Sequence, residues 1–322
     1  MELFHSMTNG KIEGFCLIKT VEKKTSVRGT EYLDLILADS GGEVSAKLWD
    51  YQPAAHSTLK PDMLVKVRGI LEKWKDKDQL KVELIRQAAV GDTVKMEDFV
   101  PHAPYEGEWM YGQILSEISG WENQPLKILV TDILESHKEK LCYFPAALKL
   151  HHAYRAGLLY HTLSVLRLAQ QICNVYTFVD RELLYAGIIL HDIAKVQELE
   201  VGETGIAANY TTEGTLIGHL VKGAMNIETA GVRLGTPREL LTLLEHMVLS
   251  HHGEPEFGAA VRPMFLEAEL LSQLDNLDAT VFEMMSAVDG VEPGSFSPRQ
   301  WALDQRKIYN YRQKEIQSAK LD

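Results

Sequence analysis

The spacing of apolar residues changes once along this chain, near residue 100. Before that point apolar and polar residues alternate, as at Leu33, Leu35 and Leu37, which is the period of a strand with one buried face. From about residue 106 to about residue 290 the apolar residues recur at helical spacing instead. The sequence therefore predicts a small all-β domain followed by an all-α domain.

The first 90 residues contain about five short strand signals. The turn sequence Asp39-Ser40-Gly41-Gly42 separates two of them, and others lie around residues 12–21, 65–70 and 80–84. A small barrel of the OB type closes a sheet of about five strands, whereas an Ig-like sandwich needs about seven strands, which are hard to find here. We therefore expect an OB-type barrel over residues 1–90.

Turn-forming residues mark the other boundaries. Residues 91–105 contain Gly91 and Pro101 and lack clear periodicity, which predicts a linker. The helical domain is expected over residues 106–290. A run rich in Gly, Pro and Ser follows it, so residues 291–322 are expected to form a polar C-terminal tail.

The charge of the chain is unevenly distributed. The net charge is −12, but residues 1–90 hold 14 Lys and Arg against 13 Asp and Glu, whereas the remainder holds 19 against 32. This balance argues against a protein that coats nucleic acid with its whole surface. A polyanion is expected to bind the near-neutral first domain, while the carboxylate excess of the second suits the capture of metal ions.

The spacing of the cysteines and the lengths of the apolar runs bear on where in the cell the protein is expected. Cys16, Cys142 and Cys173 form no CxxC pair, so neither a disulfide framework nor a thiolate zinc site is expected, and a cytoplasmic location is the default. The N-terminus lacks a basic segment followed by an apolar run, so no signal peptide is expected. No apolar stretch approaches about 18 residues, so no membrane span is expected.

Four polar side chains occupy core-facing positions of the predicted helices, namely His161, His191, His251 and Asp275. A buried polar or charged group costs free energy unless it is paired or bound to a metal, and one shared divalent ion would remove that cost. The adjacent pair His191-Asp192 adds a carboxylate beside an imidazole, and both suit such an ion. The alternative is that each is separately a hydrogen-bonded core histidine or a helix-capping aspartate, but the size of the set favours a metal site.

The order His161, His191-Asp192, Asp275 resembles the H…HD…D signature of the HD-domain phosphohydrolases. Longer segments resemble the bacterial YhaM-type 3′–5′ exoribonucleases, including that family's N-terminal OB-type domain. These segments are Gly14–Lys19, Tyr32–Leu35, Ala46–Asp50, Phe144–Ala147, His151–Leu159, Gly218–Leu220, Leu249–Gly253 and Asp275–Ala279. The resemblance covers nearly the whole chain and thins over residues 91–140 and after Gly290.

The resemblance implies an HD core at about residues 155–280 that binds one or two divalent ions. The implied ligands are His161, His191, Asp192 and Asp275 for the first ion and Asp192, His219 and His251 for the second, with His252 as a further candidate. Imidazole and carboxylate ligands suit Mn, Fe, Co, Ni, Zn or Mg, and the resemblance favours Mn. The family usually has Glu at the position of Tyr160 and often Gly at Ala156, so this chain lacks one carboxylate beside the first histidine.

Three residues are expected to act in hydrolysis. Asp192 would hold both ions, which together activate a water for attack on the phosphorus. Lys195 would neutralise charge that develops on a phosphate oxygen, or it forms an ordinary (i, i+3) ion pair at a helix end. Arg155 would clamp a second phosphate with two hydrogen bonds, or it forms a surface ion pair.

The predicted barrel carries cations beside an aromatic side chain. Lys47 and Trp49 alternate with apolar residues on one strand, and Lys66 and Arg68 do so on another. Stacking aromatics beside cations hold single strands without sequence preference. The alternative is that Trp49 packs against the helical domain or another subunit. Phe15, Tyr32 and Trp74 are aromatic residues of the same region for which a structural role is the better interpretation.

Three functions are compatible with these patterns. The first is a metal-dependent 3′–5′ exoribonuclease that converts single-stranded RNA to 5′-mononucleotides, with single-stranded DNA as a further candidate substrate. Its polarity and product are implied by the resemblance. The second is an HD-domain phosphohydrolase of small nucleotides, with the barrel as an oligomerisation or regulatory module. The third is a non-catalytic single-strand-binding factor with a structural metal. A homo-oligomer is expected for the first.

Overall fold

The structure of the chain, a computed structural model, describes residues 10–39, 41–75, 77–89, 91–311 and 318–321. Parts of the predicted barrel and of the predicted tail, residues 1–9, 312–317 and 322 among them, lie outside the described residues. The chain divides into two units. The first ends at Pro101 and includes Gly202–Thr204, and the second contains the other residues from His102 onward.

Five strands of the first unit close into a barrel in the order β1-β2-β3-β5-β4. The strands are β1 Lys11–Thr25, β2 Glu31–Asp39, β3 Gly42–Leu48, β4 Leu64–Trp74 and β5 Lys77–Gln87, with a short helix α1 Pro53–His56 between β3 and β4. Strand β1 pairs antiparallel with both β2 and β4, whereas β3 and β5 run parallel. This strand order is that of an OB barrel, so the prediction of an OB-type domain is confirmed.

The barrel core consists of the apolar residues that the alternation predicts to point inward. Leu33, Leu35 and Leu37 are buried, and the residues between them are more exposed. Strand β1 carries a bulge between Ile18 and Thr20, which bends and twists a strand locally. That bend lets one long strand pair with two different neighbours and leaves the polar side chains on the outer surface.

The second unit is helical, as the 3.6-residue spacing predicts. Its helices are α2 Gly107–Ser119, α3 Gln124–Leu141, α4 Gly157–Val175, α5 Arg181–Leu190, α6 Lys195–Glu198, α7 Thr212–Leu216, α8 Gly218–Leu234, α9 Arg238–Ser250 and α10 Leu266–Val288. Asp180 caps α5, since its side chain accepts a hydrogen bond from the Leu183 amide. All residues from Leu183 to Leu190 are buried, so the chain that follows them, at His191 and Asp192, emerges inside the unit. None of the helices among the described residues is long and apolar enough to cross a membrane.

Short strands lie in two regions that the sequence did not indicate as strands. A two-stranded sheet of β6 Leu199–Val201 and β7 Ala207–Tyr210 follows α6. A second one, β8 Phe296–Gln300 and β9 Arg306–Tyr309, lies where the sequence predicts a polar tail. The second sheet packs against α10 and buries Ser297 and Leu303. Too few apolar residues point inward there for a periodicity to reveal it.

Candidate metal centre and single-strand surface

Five helices of the second unit deliver the six predicted metal ligands to one place. The positions are His161 in α4, His191 and Asp192 directly after α5, His219 in the first turn of α8, His251 directly after α9, and Asp275 in α10. The four histidines and Asp192 are buried, and Asp275 is nearly so. The structure thus brings together side chains that lie up to 114 positions apart along the printed sequence, from residue 161 to residue 275.

One group of ligand atoms matches the predicted first ion. The Nε2 atom of His161 lies 3.3 Å from Nε2 of His191 and 3.1 Å from Oδ1 of Asp275. Nε2 of His191 lies 3.4 Å from Oδ2 of Asp192. Ligand atoms that surround one ion at about 2.0–2.2 Å stand roughly 3–3.5 Å apart, so these four side chains have the spacing of a shared ion.

The second oxygen of Asp192 faces another group. Its Oδ1 lies 3.4 Å from Nε2 of His219 and 3.7 Å from Nε2 of His251. Ligand atoms of His219, His251 and His252 lie within 4.8 Å of one another. One carboxylate therefore presents an oxygen to each group, which is the arrangement that a bridging ligand between two ions requires.

Each of the four histidines is held by its other ring nitrogen. Nδ1 of His161 lies 2.8 Å from the Asp278 carboxylate and Nδ1 of His219 lies 3.0 Å from the Glu198 carboxylate. Backbone carbonyls play this part for His191 and His251, at 2.7 Å and 2.8 Å. Since these partners only accept hydrogen bonds, Nδ1 carries a proton, which leaves Nε2 as the ring atom that can coordinate a metal ion. Metal-binding histidines are oriented in this way.

Three buried side-chain atoms at the centre support the presence of a metal site. Among the described residues, Oδ1 of Asp192, Nε2 of His219 and Nε2 of His251 make no hydrogen bond. A buried polar atom without a partner costs about 1–3 kcal/mol. The same three atoms are those that would coordinate the second ion, so the residues present fit a divalent cation.

The charges of the centre keep Asp192 ionised and His251 neutral, whereas His161 holds a second proton unless a metal ion replaces it. Burial would raise the pKa of Asp192, but Lys195, whose Nζ lies 2.7 Å from Oδ2, and the adjacent histidines hold it well below its usual range. Burial together with neighbouring His191 and His252 lowers the pKa of His251, which stays neutral. Burial also disfavours a charge on His161, yet Asp275 and Asp278 raise its pKa to about 10. Carboxylates that favour a proton on His161 equally favour a metal ion there.

A tight loop before α4 sets the direction of that helix. His152 and Ala156 have φ angles of 56° and 59°, a left-handed conformation that is unfavourable for residues other than glycine. A Cβ atom on Gly157 would lie 2.0 Å from the His152 carbonyl oxygen, so only glycine fits there. The loop brings the His152 Nε2 within 2.9 Å of Asp278, next to the carboxylate that orients His161.

Two carboxylates of the centre were not predicted. Asp278 accepts from His161, His152 and Ser164, and Glu198 accepts from both the Nδ1 and the backbone amide of His219. A sequence signal for both exists, since Asp278 follows Asp275 by three residues and Glu198 follows Lys195 by three. Residues at this spacing share a helical face.

The remaining predicted residues have separate places. The Arg155 guanidinium carbon lies 5.5 Å from the centre of the Tyr143 ring, so its role as a phosphate clamp stays a prediction. The Tyr160 hydroxyl accepts a hydrogen bond from the Ala319 amide. Tyr160 lines a cavity of about 390 Å³ with Asp278 and Phe282, on the Nδ1 side of His161, so the tyrosine does not supply a metal ligand.

The predicted pair of Lys47 and Trp49 lies at the C-terminal end of strand β3, beside Tyr32 of strand β2. The rings of Trp49 and Tyr32 lie 4.5 Å apart, and the Lys47 Nζ is 5.0 Å from the Tyr32 ring centre. Trp49 is 45% exposed. Lys47 is paired with Asp34 at 3.3 Å. Tyr32, for which a structural role was expected, is thus part of the same surface.

The other two predicted cations, Lys66 and Arg68, lie on strand β4. The Lys66 Nζ is 5.7 Å from the Phe15 ring centre and 3.1 Å from the Glu13 carboxylate. Arg68 lies 3.8 Å from Glu83. Both cations are therefore balanced by a carboxylate of a neighbouring strand.

Comparison with known families identifies the chain. The HD domain model matches residues 158–280, which include all six predicted ligands. A second family model, TraI_2, described as a helicase family, matches residues 110–183. Relatives named 3′–5′ exoribonuclease YhaM are 39% identical in a Geobacillus strain and 36% identical in Bacillus licheniformis. These alignments cover 95% and 93% of this chain and 94% of each relative. The chain belongs to the YhaM family.

Solved structures resemble this YhaM-family chain only in part. The second OB-fold domain of replication protein A from Methanococcus maripaludis is 16% identical, with 28% of this chain and 92% of that chain covered and a TM-score of 0.21. The single-stranded DNA binding protein from Thermus aquaticus is 13% identical, with 27% and 43% covered and a TM-score of 0.24. The OB assignment therefore rests on the strand order of the barrel.

Proposed function

We propose that this chain is a metal-dependent 3′–5′ exoribonuclease that shortens single-stranded RNA and releases 5′-mononucleotides, with single-stranded DNA as a second substrate. The YhaM relatives, which carry this activity in their name and align over nearly their whole length, support the reaction class. The observation that carries the chemistry is the convergence of four Nε2 atoms on the two oxygens of Asp192.

The centre suits the hydrolysis of a phosphodiester. Divalent ions bound there supply Lewis-acid activation of water and stabilise negative charge on phosphate. One ion would be held by His161, His191, Asp192 and Asp275. The other would be held by Asp192, His219 and His251, with His252 as a further candidate. Lys195 keeps a positive charge beside Asp192, because the attraction of that carboxylate outweighs the burial that would lower the pKa of the amine. Its ammonium can therefore neutralise a phosphate oxygen, and we retain Arg155 as a candidate for a second phosphate.

The barrel would bind the same single strand. Trp49 and Tyr32 offer a stacking surface, and Lys47, Lys66 and Arg68 offer charge to the phosphates. Base stacking on such residues is tolerant of sequence, which suits an enzyme that degrades RNA progressively.

Three finer points belong to this proposal. Mn is the metal that we expect, because nitrogen and oxygen ligands suit it and the sequence resemblance favours it. We expect a homo-oligomer. We also expect a cytoplasmic location, in agreement with free Cys16, Cys142 and Cys173.

The test is hydrolysis of a 5′-labelled single-stranded RNA by the purified chain with each divalent ion in turn. We expect a ladder that descends from the 3′ end with Mn and no products with a chelator. Labelled products that start at the mononucleotide would show 5′–3′ degradation and contradict the polarity. Efficient turnover of free nucleotides, with no preference for longer substrates, would favour a phosphohydrolase of small nucleotides.

A further inference from the structure

The β8–β9 hairpin presents one face that carries both aromatic rings and cations. Phe296 pairs with Tyr309, and Arg299 pairs with Lys307. Paired residues of an antiparallel sheet lie on the same face, as do residues two apart on one strand. The four residues therefore share one side, which we call the hairpin face. Ser297 is buried on the opposite side.

The aromatic rings of the hairpin face are open to solvent. Phe296 is 62% exposed and Tyr309 is 47% exposed, with their ring centres 5.0 Å apart. Trp301, in the connection between the strands, is 69% exposed. Large apolar groups that stay exposed together on a protein surface commonly mark an interaction site.

The cations of the hairpin face differ from those of the barrel. Within the described part of the chain, neither Arg299 nor Lys307 has a carboxylate within ion-pair distance, and Arg299 donates to the Gln305 backbone carbonyl. In the barrel, Lys47, Lys66 and Arg68 each have a carboxylate partner. In a chain with a net charge of −12, two adjacent unbalanced cations beside exposed aromatics are complementary to a polyanion with stackable bases.

We propose that the hairpin face is a second contact for single-stranded RNA, separate from the barrel. This inference rests on the proposed function for its choice of substrate. The rings of Phe296 and Tyr309 would stack on bases, and Arg299 and Lys307 would contact phosphates, in the way that single strands are held without sequence preference. The exposed rings beside the cations match the bases and phosphates of a single strand, and this combination selects RNA over a second copy of the chain as the occupant.

The position of the hairpin is consistent with a contact remote from the reaction. The hairpin packs against α10, the helix that carries Asp275, and Asn310, directly after β9, donates a hydrogen bond to the Val291 carbonyl, three residues beyond the end of that helix. From Asp275 to the last residue of this helix, Val288, the rise of about 1.5 Å per residue spans roughly 20 Å. The hairpin face would therefore touch nucleotides several positions away from the scissile bond, and only longer substrates would use it.

The test is binding of a fluorescein-labelled single-stranded RNA of about 16 nucleotides to the full chain in the presence of a chelator. Anisotropy is measured over a series of salt concentrations. We expect Arg299→Gln with Lys307→Gln to lower the slope of log affinity against log salt by about 0.7 for each lost phosphate contact. We expect Phe296→Ala to weaken binding about tenfold at constant salt.

Matched variants elsewhere in the helical unit control for charge and for apolar surface. Lys138→Gln with Arg238→Gln removes two exposed cations, and Phe178→Ala removes an exposed ring; we expect RNA binding as in the unaltered chain. Mn titration of every variant checks that the helical unit is folded. Unchanged RNA binding by the hairpin variants would overturn the proposal, as would a change of their oligomeric state, which would make the hairpin face a subunit contact. Because binding is measured without turnover, failure of the nuclease assay would leave this result interpretable.

Discussion

The metal centre and the barrel surface both depend on charged groups, but the two regions satisfy those groups in opposite ways. At the centre, His161, His219 and Asp192 are buried, and each histidine is oriented by a hydrogen bond at Nδ1 while its Nε2 is the ring atom that can coordinate a metal ion. On the barrel, Lys47 and Trp49 are exposed to a larger degree, and Lys47 already has Asp34 as a partner. The buried site is suited to a metal ion, whereas the ion pairs of the barrel surface can be replaced by contacts with many different nucleotides.

This difference predicts two kinds of response to substitution. A buried ligand cannot be replaced by water without loss of the site's geometry, so changes at the centre should have large effects. Exposed ion pairs contribute about 0–1 kcal/mol, so changes on the barrel should have graded effects on RNA binding.

The largest effect is expected for Asp192→Asn. The amide lacks the charge and one of the two oxygens that face the ligand groups, so both ions lose a ligand at once. We expect RNA hydrolysis to fall about a thousandfold or more. We expect Mn binding, measured from the electron paramagnetic resonance signal of the unbound ion, to fall as well. Near-normal hydrolysis by a folded Asp192→Asn variant would contradict the metal mechanism.

A smaller loss is expected for Asp278→Asn. Asp278 contacts His161 on the side away from the ligand atoms, so it positions the imidazole and does not bind the ion itself. Removal of such a partner commonly lowers metal affinity or activity about 10- to 100-fold. Mn titration and hydrolysis should both report it. Ser164→Ala, which removes only one donor to Asp278, serves as the milder comparison, and equal losses for the two variants would argue against the positioning role.

A graded effect is expected for Trp49→Ala. Loss of one stacked base costs about 1–3 kcal/mol, so affinity for a long single strand should fall about 5- to 150-fold, with Mn binding unchanged. Trp74→Ala is the matched control, since Trp74 is a more exposed tryptophan of the same barrel, 62% exposed. Fluorescence anisotropy with RNA measures both. Equal losses would show that the effect is not specific to the Trp49 and Tyr32 surface.

The smallest effect is expected for Lys47→Gln. Lys47 gives up its pairing with Asp34 when it binds a phosphate, so the net gain from the contact is small. We expect affinity to fall by less than about fivefold and the salt slope to fall by about 0.7. Binding measured from low to moderate salt tests this. A slope that stays unchanged would remove Lys47 from the contacts with RNA.

The two domains and most of the metal ligands could be predicted because they follow from periodicity and polarity. Leu33, Leu35 and Leu37 predict an inward strand face without reference to the rest of the chain, and His191 is conspicuous because it follows an apolar run, Leu183–Leu190. The ring of supporting carboxylates could not be predicted with the same ease. Asp278 and Glu198 look like ordinary helix residues until the fold brings them against Nδ1 of His161 and His219.

The C-terminal region shows a related limit. Phe296 and Tyr309 do not form a periodic pattern, because a bulge and a turn separate them. Their shared face exists only once the two strands pair. The fold also places the Arg155 guanidinium over the Tyr143 ring, a contact that the sequence does not indicate.

The order of apolar and polar residues predicted a small barrel, a helical domain and a candidate metal site at His161, His191-Asp192, His251 and Asp275, because burial of a polar group is costly wherever the chain places it. The HD domain and the further ligand His219 were implied by the resemblance to the YhaM-type family. The tertiary structure decided which oxygen of Asp192 faces which histidine, which carboxylates orient the rings, and which cations lack a carboxylate partner. These depend on distances of a few ångströms between residues far apart in the chain, and local spacing does not encode such distances.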